Sequence, residues 1–256
     1  MEPIQRVVVR DKHPVFESGY LARPFNRVVL GLAALSLLIQ IAGLIQGLAG
    51  QGKVVSGFDH ASFAVVAFLW LLLGCMVFLQ RRAGLAARLF LLFAASGSAF
   101  LAVGTLWYVS YPDAFIYAVG VLFFPPLLFS FVRAFRDSQR WSRAELLLYL
   151  PATLLVAPVT HDFATSQGNS PSFRVALVLI AVFLVAAAGQ ALRDFRFSQS
   201  PEEATQTRAL LFGLLAGTVP AIAAIIEPLV TTGSVKSINV SWMPPIVLLF
   251  LIAMSY

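Results

Sequence analysis

Charge is scarce in this chain. Asp, Glu, Lys and Arg make up 12% of its 256 residues, against about 25% in soluble domains. Apolar residues reach 59%, against about 45–50%. A soluble fold of this size has no interior large enough for that excess, so a polytopic membrane protein is expected. Cysteine is nearly absent: Cys75 stands alone, inside an apolar run. That excludes a disulfide within the chain and any thiol metal site, and leaves Cys75 as a small hydrophobe. Runs of strictly alternating polarity are missing too, which argues against a barrel. No short apolar stretch with a small-residue cleavage site opens the chain. A mixed polar arm precedes the first apolar run, which is therefore read as a retained anchor.

The charge that is present is basic, +6 net, and nearly all of it is Arg, as expected of a GC-rich bacterial genome. The arginines are spread over short links between apolar runs, with no aromatic interleaving on a polar face. That is a topology pattern rather than phosphate tracking, so no nucleic-acid partner is expected.

The fold class expected is all-α: an integral membrane bundle of about eight helices after a basic arm at 1–27. The spans are placed at 28–50, 61–80, 89–110, 114–132, 146–160, 173–192, 209–230 and 241–256. Most are near the roughly 20 residues needed to cross the hydrocarbon. Trp107, Tyr108 and Tyr111 form an aromatic belt, Pro112-Asp113 a tight turn, and Pro125-Pro126 an expected kink. With the N-terminus cytoplasmic, 15 of the 18 Lys and Arg fall on the inner side. Lys53, Arg174 and Lys236 are left outside. This positive-inside split supports an even number of spans in the bacterial plasma (inner) membrane, with the lipid bilayer as the first partner. The last segment, 241–256, has no basic stop and spans only about 24 Å at 1.5 Å per residue. We therefore expect the natural protein to continue into the cytoplasm.

The most polar run after the arm is RDFRFSQSPEEATQTR, from Arg193 to Arg208. Ser200 is placed to cap a helix opened by Pro201, with Glu202 and Glu203 in its first turn. That helix would run through Arg208 into the seventh span and join a cytoplasmic elbow rigidly to the membrane.

This run, continued as ALLFGLLAGTVPAI, resembles the N-terminal multi-span membrane sensor region of bacterial sensor histidine kinases. The matching positions are Arg193, Phe195, Arg196, Ser200, Pro201, Glu202, Glu203, Gln206 and Arg208, then Gly213 and Pro220. FFPPLLFSFVRAFRD with WSRAELLLYLPATLL, through Tyr149, Leu150 and Pro151, is similar to that family's basic loop and Tyr-Leu-Pro helix. FLQRRAGLAARLFLLF resembles its short Arg turn. Related regions also precede other signalling output domains. The resemblance implies the sensor domain of a two-component protein, a homodimer, relaying a signal to an output domain absent from this chain. That output domain would act on a response regulator and use ATP and Mg. The chain itself has no phospho-acceptor histidine helix and no nucleotide-binding boxes, so no catalytic residues and no cofactor are assigned to it.

Candidate signal-binding residues are few. Glu227 is an ionisable group near the outer end of the seventh span, a functional position by default, though headgroup depth lowers its cost. Arg174 and His161 lie on the same outer side and could pair with it. Asp59-His60 and Asp162-His161 sit in separate short links without further ligands, so no metal is assigned. Gln40, Ser96, Ser98, Gln190 and Thr218 are the polar groups within spans and are expected to pack helices. The competing readings are a small transporter or channel, which should show inverted repeats and midplane charge, and a lipid enzyme, which needs paired inner-face His or carboxylates.

Overall fold

A computed structural model of the protein describes residues 24–49, 57–80, 84–104, 110–136, 143–165, 171–198 and 200–231. Side chains at 57–60, 104, 136, 143–144 and 202, and all but 219 and 223 from 217 on, lie outside that description. So do the basic arm and the expected 241–256 span.

The described residues form an all-helical bundle without strands. Its elements are α1 (Pro24–Leu48), α2 (Gly57–Gln80), α3 (Leu85–Gly104), α4 (Tyr111–Arg136), a short α5 (Arg143–Leu146), α6 (Leu150–Thr165), α7 (Pro171–Arg196) and α8 (Pro201–Thr231). A 3₁₀ turn, Leu147–Tyr149, joins α5 to α6. Six helical stretches are long and apolar enough to cross a membrane: Pro24–Leu48, Ala61–Gln80, Leu85–Val103, Tyr111–Phe135, Leu147–Thr165 and Pro171–Arg196. The architecture is that of a multi-pass membrane protein.

Helices extend past the apolar windows because polar caps continue them. Pro112 and Asp113, expected in a turn, form the first turn of α4. There Ser110 Oγ donates to Asp113 Oδ2 (2.6 Å) and accepts from the Asp113 N–H (3.3 Å). A proline without an N–H costs nothing at a helix start. α4 then runs as one helix through Pro125 and Pro126, both buried. α6 continues to Thr165, so His161 and Asp162 lie on its last turns rather than in a link. Hydroxyls of Thr160 and Thr165 bond back to Val156 O and His161 O, and Phe163 packs edge-on between Tyr117 (4.6 Å) and Phe173 (4.8 Å).

α3 is the axis. Of its membrane window 72% is buried, against 56% for α4 and 22–39% for the other spans. α1 and α2 pack on one side of α3 and α4 on the other, and α6 and α7 pack against α4. α8 packs against α7. Two glycines set the closest approaches. A Cβ on Gly74 would lie 2.6 Å from Ala94 Cβ, and one on Gly120 would lie 2.6 Å from Phe100 Cβ and 3.0 Å from its backbone N. Trp70 fills the centre, edge-on to Phe93 and Phe124 at 5.4 Å each.

α1 is built inside out relative to a soluble helix. Its buried stripe is Asn26, Val29, Ala33, Ser36, Gln40, Gly43 and Gly47, every third or fourth residue. Val28, Leu32, Leu35, Leu38, Ile41 and Ile45 face outward. Small and polar residues inside with leucines outside is the arrangement lipid favours, because hydrocarbon gives no drive to bury Leu and polar groups seek protein partners. Ser36 Oγ donates to Ala95 O (2.9 Å) and lies 2.6 Å from Ser98 Oγ, tying α1 to α3.

Candidate relay elbow at the basic end of the bundle

Successive spans alternate in direction, which gathers the starts of α1, α3, α6 and α8 with the ends of α2, α4 and α7. Arg27, Arg88, Arg133, Arg193, Arg196 and Arg208 all stand at this end. Arg174 is the arginine with a described side chain at the other.

The elbow between α7 and α8 is built by capping. At the end of α7 the Phe197 N–H reaches Arg193 O (3.1 Å) and Ser198 Oγ donates to Phe195 O (2.9 Å). Serine takes up a carbonyl that the helix can no longer satisfy. Two residues on, Ser200 Oγ accepts from the Glu203 N–H at 3.1 Å and Pro201 opens α8, as the sequence implies. Ser200 O takes the first helical bond, from the Ala204 N–H (2.9 Å). Thr205 and Thr207 hydroxyls bond back to Pro201 O and Glu203 O.

Asp194 faces inward on the last turn of α7 and is 6% exposed. Gln190, one turn earlier, donates through Nε2 to both its carboxylate oxygens (3.0 and 3.1 Å). Arg193 and Arg196 flank it and are exposed, while Arg208 of α8 sits 5.5 Å above the Phe195 ring. That cation–π contact crosses from one helix to the other and is worth about 0.5–1 kcal/mol at an exposed site. Thr207 is buried beside it in sequence, and Leu210 and Leu214 join the same core as Ala187 and Ala191. The elbow is thus two capped helix ends joined by a cation–π pair, with a buried carboxylate held inside the last turns of α7.

The rest of this end is tied similarly. Arg133 Nη2 pairs with Glu145 Oε1 at 3.3 Å, joining α4 to α5. With Arg133 46% exposed, the pair contributes about 0–1 kcal/mol. Tyr149 OH donates to the buried Ser130 Oγ at 2.8 Å.

The remaining candidates stand at the other end of the bundle. His161 and Arg174 are exposed at the opposite end, on the last turns of α6 and the first turn of α7. Between those turns Ser172 Oγ is hydrogen-bonded to Asp162 Oδ2. Glu227 lies on α8 toward the same end; its side chain, like that of Glu202, is outside the description. No group of three metal-ligating side chains occurs among the described residues. Of the polar span residues, two tie helices together: Ser98 meets Ser36, and Ser96 Oγ donates to Gly120 O (2.8 Å). Gln190 instead bonds Asp194 within α7, Gln40 is buried on the inner face of α1, and the side chain of Thr218 lies outside the description. Asp194 itself escaped the sequence reading. Its signal is the Gln190–Asp194 spacing of four, which puts both on one helix face.

No family model matches the chain, and no curated protein or solved structure shows significant similarity to it.

Proposed function

We propose that the chain is a membrane-embedded sensory and relay module of the bacterial inner membrane. Its basic end is cytoplasmic, and α8 carries its output toward a cytoplasmic domain of the sensor histidine kinase type. The observation that carries this reading is the elbow. α8 is 31 residues long, starts at the basic end on a capped turn, and packs against α7, whereas α3 and α4 are locked together in the core. A rigid helix joined at one end and seated, among the described helices, chiefly on α7 is the element able to take two positions. A signal biases it by binding the two arrangements unequally. The positive-inside rule supports the orientation, because six described arginines stand at the elbow end against Arg174 at the other.

Two measurements test the proposal. A cysteine placed at Ser200 should react with membrane-impermeant maleimide only after the cytoplasmic face is opened, and one placed at Arg174 in intact spheroplasts. The reverse pattern inverts the topology. The reading frame beyond Tyr256 in the source DNA should encode a helix with a phospho-acceptor histidine and nucleotide-binding boxes. A stop codon there removes the output and overturns the relay.

A further inference from the structure

Charge at the basic end is unevenly balanced. Around α4, α7 and α8 the arginines have carboxylates nearby: Glu145 pairs with Arg133, and Asp194 and Glu203 share the elbow with Arg193, Arg196 and Arg208. Among the described residues, the corner made by the starts of α1 and α3 has cations alone. Neither helix contains an acidic residue, and Asp59 of α2 is at that helix's far end. Arg27 and Arg88 stand at this corner.

Arg88 is the singular residue. Its Cζ sits 5.5 Å from the Phe25 ring centroid, which draws the guanidinium of α3 across to α1. Its Nε is shielded and meets no hydrogen-bond acceptor among the described residues, while the residue as a whole remains partly exposed. An aromatic face steadies a cation but takes none of its in-plane hydrogen bonds. A phosphate takes such bonds in pairs along one guanidinium edge, here the Nη edge that lies away from the shielded Nε. Beyond Phe25, α1 turns Val28, Leu32 and Leu35 outward, an apolar track running from the corner into the membrane. A headgroup at the corner and an acyl chain along that track would be met by one molecule.

We propose that the α1–α3 corner binds an anionic phospholipid, with Arg88 as the headgroup contact. The site rests on the membrane-spanning reading and does not depend on the relay.

The test is native mass spectrometry of the full chain released from nanodiscs of mixed phosphatidylglycerol and phosphatidylcholine. The wild type should retain phosphatidylglycerol preferentially. Arg88→Gln should lower that preference about fivefold, the weight of one cation at a membrane surface. Arg133→Gln, at the same end but balanced by Glu145, should leave it unchanged. Should Arg88→Gln fail to fold, Phe25→Leu serves in its place by freeing the guanidinium, with a smaller loss expected. An unaltered preference in the Arg88 or Phe25 variant overturns the site, as does an equal loss in Arg133→Gln. Complete displacement by free glycerophosphate overturns the lipid as occupant. Failure to retain any phospholipid counts instead against the membrane-spanning reading.

Discussion

Gly120→Ala should destabilise the bundle although alanine is the better helix former. The new Cβ would stand 2.6 Å from Phe100 Cβ, 3.0 Å from Phe100 N and 3.1 Å from Phe100 Cα. Carbon atoms rest at about 3.5–4.0 Å, so the clash is about 1 Å deep. It falls on backbone and Cβ atoms, which no rotamer change can move. α3 and α4 must part, and the Ser96 Oγ to Gly120 O bond lies at the same crossing. Overpacking of this kind costs about 1–3 kcal/mol. Against it stands a gain of about 0.8–1 kcal/mol from replacing glycine in a helix.

Gly189→Ala separates the two effects. A Cβ there meets nothing within 4 Å, so this variant takes the propensity gain alone. The difference between the two variants cancels propensity and isolates the packing cost. In mixed micelles titrated with SDS, Gly120→Ala should unfold about 1–3 kcal/mol more easily than Gly189→Ala. Gly74→Ala, 2.6 Å from the Ala94 methyl carbon, should follow Gly120→Ala, and Gly31→Ala should follow Gly189→Ala. If all four variants fall within about 0.5 kcal/mol of one another, the close approach of α2, α3 and α4 is refuted.

The serine pair between α1 and α3 should show as coupling in a double-mutant cycle of Ser36→Ala and Ser98→Ala. About 0.6 kcal/mol is expected, with about 1.7 as a ceiling for such bonds in membranes; additive losses would mean the hydroxyls do not bond. Ser200→Ala should cost α8 about 1 kcal/mol at its start. Faster exchange of the Glu203 amide, with amides near Leu214 unchanged, is the readout, and uniform exchange along α8 would deny the cap.

What the sequence made legible follows from where hydrophobicity is decisive. A run of about 20 apolar residues forms a helix because hydrocarbon offers the backbone no other partner, so the first six spans could be placed from hydropathy. The cap at Ser200 was readable because its geometry is local, fixed by Ser-Pro-Glu-Glu itself. Helix ends were not. His161 and Asp162 are polar and mark the edge of an apolar window, but polarity does not stop a helix, and α6 runs on to Thr165. The inward faces were also hidden. In α1 hydropathy is nearly uniform around the helix, so only its heptad of small and polar residues, from Asn26 to Gly47, marks the protein side. Gly74 and Gly120 look like any helical glycine until the partner residues Ala94 and Phe100 are known. For the elbow, the Ser200 cap was visible, while Asp194 was lost within a basic run whose net charge concealed one inward carboxylate.

The packing also bears on where a signal could enter, if the chain relays one. α3 and α4 meet at glycine-set contacts that leave no room for sliding, and Trp70, Phe93 and Phe124 fill the space beside them. A bistable element has to lie outside that block, because a close-packed core does not deform continuously. Among the described helices two qualify, on opposite flanks. α8 is attached through the elbow. α1 is held by small residues, by the hydroxyl pair of Ser36 and Ser98, and by Phe25 beneath Arg88. The hydroxyl pair and the cation–π contact are each worth about 1 kcal/mol or less, and a headgroup at Arg88, at about 1 kcal/mol for one cation near an anionic surface, would be of the same size as either. Input through α1 and output through α8 would then have to pass through a rigid block. That requires α1 to act by displacing α3 and α4 as one body against α7, and not by reshaping the core between them.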